Sequence, residues 1–334
     1  MELDLPHMNL GPKLNGFCFE PSTEKHVKMA RMGVFWKQLN RRIGSPGRGC
    51  FSILERLLVG AVIGLAGFPA APGHAAESIL TRTALVPLNG WTTSRRLATP
   101  HATQAAAADA DHLYAVSSTT VARFDRRTGR LLDTASSPTA QHLNSGFFHD
   151  GRMYLAHSNY PATPHASDIR VYVPGMGSLE RYHTFPEPPG SLVWCIRRQG
   201  NWWCCFAHYG SDNHQTCLVE YADGGLDREL RRFLFPLEVI ADFDGMSASG
   251  GIWDGDTLLA SHHHFPVLYR LRLPGPADPP DRLVLIETLH CPFPGQGFAI
   301  DPPRPDGGQQ PCLVGIDRPG RAIVLAKPDR CCSP

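Results

Sequence analysis

Basic charge is scarce where a nucleic-acid binder would need it. Nine of the 32 Lys and Arg residues and five of the 31 Asp and Glu residues fall in the first 76 positions, so the remainder carries a net charge of −3. That balance excludes a phosphate backbone as partner. The chain has no C-x-x-C pair, so Cys204, Cys205 and Cys217 lack the spacing of a structural zinc site. Its apolar run at residues 57–68 (LLVGAVIGLAGF) is 12 residues long, short of the about 20 that cross a bilayer as a helix. Gly245-Met246-Ser247-Ala248-Ser249-Gly250 lacks the last glycine of G-x-S-x-G and the strand-to-helix context that motif needs. Helical periodicity is missing from the body of the chain, which argues against helical repeats.

What is present begins with an export signature. Arg41, Arg42, Arg48 and Arg56 precede the apolar run, and small residues follow it before Glu77. This is the order of a cleaved secretory signal, and it predicts residues 1–76 as a signal segment and residues 77–334 as the mature body, in the periplasm or outside the cell. Residues 1–28 show no periodicity and precede Met29 and Met32, which are candidate start sites. No transmembrane anchor is expected after cleavage, and the body is expected to be a monomer. Eight of the ten cysteines fall in it, an even number that predicts disulfides in an exported chain, with Cys195 facing Cys204 or Cys205.

From Ala102 onward a unit recurs. Its second strand reads HLYAVSS (112–118), RMYLAHSN (152–159), WWCCFAHY (202–209) and TLLASHHH (257–264). Its third reads TVARFD (120–125), DIRVYV (168–173), TCLVEY (216–221) and VLYRLRL (267–273). These segments mix apolar, aromatic and β-branched residues over strand length, and Asp-Gly turns punctuate them. Four strands per unit of about 45–50 residues mark propeller blades. The fold class expected is therefore all-β: a single β-propeller of five four-stranded blades, with first strands near 103, 145, 191, 247 and 297. The last unit lacks a fourth strand of its own, and residues 79–88 (ILTRTALVPL) are the expected donor, closing the ring with the mature N-terminal strand. Trp202 and Trp203 point to opposite faces of one strand; both are expected to pack in the core, one between blades and one partly exposed.

The first unit, LYAVSSTTVARFDRRTG, resembles the YVTN and lactonase-like propellers. The later units, LAHSNYP, WWCCFAHYG, SASGGIWDGD, HHHFPVLYRLRLP and GQGF, are similar to a group of exported bacterial propellers, some labelled cycloisomerase or lactonase. The resemblance spans about residues 102–326. It implies the propeller fold and leaves the activity open, because one fold hosts many chemistries.

In a four-stranded blade the inner strand begins, and the second ends, at one face of the ring. The repeats thus bring histidines towards one mouth. His157, His208 and His263 are the expected ligands of a divalent metal, zinc or similar, with His262 and His264 as alternatives to His263. Asp244 is a candidate ligand or general base, and Ser249 a second candidate catalytic residue. His142, Asn144, Asn159, Tyr209 and Gln296 are expected to hold the ligand. Two readings stay open: a metal-assisted hydrolase, lactonase or cyclising lyase acting on a small polar substrate, and a non-catalytic module for a glycan, peptide or envelope partner. A five-bladed glycosidase would need two carboxylates at a defined separation, and few acidic residues map to the inner strands.

Overall fold

Strand-forming segments with small residues at their inner ends can pack radially, and this chain does so. A computed structural model of the chain describes residues 89–224, 226–302 and 311–329. The expected signal segment, its boundary at residue 76, and residues 79–88 lie outside these. Among the described residues, 20 strands form five four-stranded antiparallel sheets, the blades of a propeller. Blade 1 comprises Ala105–Ala108, His112–Val116, Thr120–Asp125 and Leu131–Ser136, from the axis outward, and blade 2 His142–His149, Arg152–Ser158, Ser167–Tyr172 and Leu179–Phe185. Blade 3 is Ser191–Arg198, Asn201–Ala207, Cys217–Tyr221 and Glu229–Leu234, and blade 4 Gly251–Asp254, Thr257–Ser261, Val267–Arg272 and Val284–His290. A short helix, Leu237–Asp242, joins these two.

Blade 5 is built from both ends of the body. Ala299–Ile300, Leu313–Asp317 and Ala322–Pro328 are completed by Trp91–Ala98, which pairs antiparallel in a register running from Trp91 opposite Pro328 to Ala98 opposite Ala322. Closure by an N-terminal strand is thus as expected, but the strand is WTTSRRLA rather than residues 79–88. The outermost strand of a blade has few neighbours, so it needs little apolar content. Trp91 is fully buried and its indole donates to the Pro311 carbonyl at 2.8 Å, whereas most of the strand is exposed or half-buried.

The core lies between blades. Trp202 packs edge-on to Tyr154 of blade 2, with ring centroids 5.3 Å apart, and Trp203 edge-on to Trp253 of blade 4 at 5.0 Å. Both are buried, including the one expected to be partly exposed, because each face of a middle blade is covered by a neighbour. The expected Cys195 to Cys204 pairing holds as strand register, yet the two side chains are free buried thiols, as are Cys205, Cys217 and Cys291.

Five blades make a tight ring, and its centre is filled. A Cβ on Gly297 would stand 2.6 Å from the Ala105 Cβ and 2.8 Å from the Ser145 Cβ, and one on Gly251 would stand 2.5 Å from the Trp194 ring. Only glycine fits such contacts. Ala106 donates to the Gly297 carbonyl at 3.3 Å, and the Ser145 hydroxyl reaches the Phe298 carbonyl at 3.4 Å, linking blade 2 to blade 5 across the axis. The axial channel therefore has a floor of Ala, Ser and Gly.

Candidate functional site

Strand direction decides which loops share a face. His142 is register partner to Ser158, Ser191 to Ala207, and Gly251 to Ala260, so inner strands start where second strands end. The connections between second and third strands all open on that face: residues 117–119, 159–166, 208–216, 262–266 and 318–321.

Three side chains from non-consecutive blades meet there. His142 starts the inner strand of blade 2, His263 lies in the turn of blade 4, and Arg318 in the turn of blade 5. Burial first, then the charges of His157 and Arg318, push the His142 imidazole down to about 4. Burial first, then His264, Arg318, His262 and His142, push His263 down to about 3. Both rings are therefore neutral at ordinary pH, each offering one donor and one acceptor. Arg318 acts on both, and only the axis brings blades 2, 4 and 5 so close together. Beside His142 stands Tyr160, with ring centroids 5.2 Å apart, and Tyr160 in turn lies 4.7 Å from Tyr209. These aromatics wall the mouth on the side of blades 2 and 3, and burial raises the Tyr209 phenol well above its ordinary range.

Other expected site residues serve as framework. His157 is buried; its Nδ1 lies 3.0 Å from Asp168 Oδ1, and its Nε2 accepts the Gln141 backbone N–H at 2.9 Å. That acceptor role leaves the ring proton on Nδ1 and both nitrogens engaged. Asp168 is also held by Arg170 Nε at 2.5 Å and Nη2 at 3.0 Å. The Asn159 amide donates to the Pro164 carbonyl and accepts from the Ala166 N–H, each at 2.9 Å, fastening the loop that carries Tyr160. The buried Asn144 amide donates to the Leu192 carbonyl at 3.1 Å, tying blade 2 to blade 3. Gln296, buried and in the left-handed region at φ 72°, supports the His263 carbonyl at 3.3 Å.

His208 stands apart from the axis. Its Nε2 donates to the Pro189 carbonyl, and the ring helps line a cavity of about 260 Å³ with His214, Cys217, Arg232 and Leu234. Arg232 and Leu234 belong to the outermost strand of blade 3, so this cavity opens on the rim. Burial lowers the His208 pKa. Of the alternatives to His263, His262 is buried and fully used: Nδ1 accepts the His264 and Phe265 N–H groups, and Nε2 donates to the Asp242 carbonyl at 3.1 Å. Among the described residues, no three His, Cys, Asp or Glu side chains are grouped to hold a metal ion. The expected set of His157, His208 and His263 does not fit one, since His157 has no free nitrogen and His208 faces the rim.

The serines of the glycine-rich segment are structural as well. Ser247 is buried with its hydroxyl 3.1 Å from that of Thr216, and Ser249 is buried with its N–H bonded to the Ser261 carbonyl at 3.3 Å. Asp244 is exposed just after the helix, in the left-handed region at φ 49°. Arg318 and Tyr160 were not among the candidates read from sequence. Their signal was positional: both occupy the second-to-third connection that the histidines had marked in other blades.

The chain matches no protein-family model, and no curated protein matches it. The resemblance to the YVTN and lactonase-like propellers thus stands on the quoted repeat residues, and the five-bladed ring stands on the structure.

Proposed function

We propose that this propeller is an exported, non-catalytic binding module that takes a small polar ligand at its axial mouth. The observation that carries the reading is the convergence of His142, His263 and Arg318 from three blades above a sealed floor. A floored bowl with neutral imidazoles, one cation and an aromatic wall suits recognition of a compact polar molecule, with a few placed polar groups fixing its orientation. The same features argue against acid–base turnover at neutral pH. A general base works best when its pKa lies near the working pH, and these two imidazoles lie far below it. His157 already accepts and donates within the framework, and Ser247 and Ser249 are buried among their own partners.

A thermal-shift screen of small polar compounds tests the reading, because a ligand of the native state raises apparent stability. The expected hit raises the melting midpoint of the wild type and of His208→Ala, but not of the double variant His142→Ala/His263→Ala, and is recovered chemically unchanged after prolonged incubation. Conversion of the hit to a product, or a shift that survives the double variant, would sink the proposal.

A further inference from the structure

We infer that the ligand of this mouth is a hydroxylated carboxylate of the sugar-acid class, its carboxylate on Arg318, its hydroxyls on His142 and His263, and its ring face against Tyr160. This rests on the binding-module reading and specifies what is bound.

The charge argument starts at the turn of blade 5. Arg318 is exposed and, among the described residues, has no ion-pair partner. The carboxylate next to it in sequence is committed elsewhere: Asp317 binds Arg96 and accepts the Gly320 N–H at 2.9 Å. The influences on His142 are burial, His157 and Arg318, with no carboxylate among them. The nearest acidic groups on the blade 4 side, Asp242 and Asp244, bear on His262, and Asp242 accepts the Tyr269 hydroxyl. The mouth thus presents a guanidinium without a counter-ion, whose fork of N–H donors matches a carboxylate.

The hydroxyl argument concerns the imidazoles. Among the described residues the His142 ring makes no hydrogen bond, and His263 makes one, Nδ1 to Nδ1 of His264 at 3.2 Å. Neutral and incompletely bonded, each ring can donate to one hydroxyl or accept from it. An anion lacking hydroxyls leaves these groups unused. The wall argument concerns shape: Tyr160, placed between His142 and Tyr209, offers an aromatic face to the C–H side of a sugar ring. The floor of Gly297, Ala105 and Ser145 bars a threaded polymer, which leaves a monomer or a chain end.

Isothermal titration calorimetry on the full secreted chain provides the test, with galacturonate, glucuronate and gluconate against galactose, acetate and galactose 6-phosphate. The expected result is that at least one sugar acid binds about tenfold or more tightly than galactose, with acetate undetected. Arg318→Gln brings the acid down to the level of the neutral sugar, and Arg318→Lys, which keeps the charge, retains part of the preference. Equal affinity for acid and neutral sugar, or a preference that survives Arg318→Gln, overturns the sugar-acid inference while leaving the mouth as a binding site. Tighter binding of the phosphate replaces the carboxylate by a phosphoryl group and likewise overturns it. Binding of none of the sugar acids to the wild type overturns it too. Acid binding untouched by both Arg318→Gln and His142→Ala/His263→Ala removes the mouth itself as the site.

Discussion

His157 Nδ1 stands 3.0 Å from Asp168 Oδ1, inside a blade and not at its open end. Asp168 is shared with Arg170, and both are buried, so this trio is a desolvated charge network on the second and third strands of blade 2. Breaking a buried pair from one side leaves the other charge uncompensated, which costs about 3–5 kcal/mol. Asp168→Asn should therefore destabilise the fold by that order, measured as a lower urea midpoint at unchanged slope, and His157→Ala should lower stability without changing metal content.

The centre of the ring gives a prediction of opposite type, adding volume instead of removing charge. Gly297→Ala places a methyl within 2.6 Å of the Ala105 Cβ. Overpacking a close-packed site costs about 1–3 kcal/mol. The variant should unfold at lower temperature by calorimetry, whereas Gly255→Ala, with open space around its Cβ but a φ of +59°, should lose only the smaller cost of left-handed strain.

Acid should weaken the fold in two stages. His142 and His263 have folded pKa values near 4 and 3, below their unfolded value of 6.5. Between those limits the unfolded chain binds more protons, so stability is fully present above about 6.5 and falls as pH drops towards 4 and then 3. The Asp168 and Asp109 carboxyls, both held below their ordinary value by hydrogen bonds and nearby cations against the opposing effect of burial, add a further loss only below the carboxylate range. Urea midpoints from pH 7 to 4 should decline in the wild type and decline less in His142→Gln/His263→Gln.

Thiol chemistry follows from burial. Cys195 lies opposite Cys204, Cys217 is pushed up to about 11 by burial, and Cys291 up to about 12. A thiol needs its thiolate to react, and these are both protonated and enclosed. A thiol reagent at pH 8 should leave Cys195, Cys204, Cys205, Cys217 and Cys291 unlabelled in the native protein and label them after denaturation, with mass spectrometry of unreduced peptides finding no Cys195–Cys204 bridge.

The fold was readable because each blade repeats the same local pattern, and the strands found at 112–116, 152–158 and 257–261 lie within the segments that pattern marks. The closing strand was misplaced because apolar content was used to find it, and an outermost strand such as Trp91–Ala98 is mostly polar. The site was harder. Repeat position correctly sets His263 on the open face, but it cannot tell a side chain that faces the axis from one that turns along the blade to Asp168, as His157 does, or to the rim, as His208 does. Arg318 escaped notice because selection by residue type favoured histidine, although its position in the blade was equivalent. Cysteine count pointed to disulfides, but count and register leave bonding open, and Cys195 and Cys204 are free thiols.

Histidine-selective nuclear magnetic resonance during titration with galacturonate tests the axial site most directly. The account predicts progressive, saturable shifts of the His142 and His263 ring signals, with those of His208 and His214 in the rim cavity unmoved. Shifts confined to His208 and His214, with His142 and His263 unchanged at saturation, would contradict it.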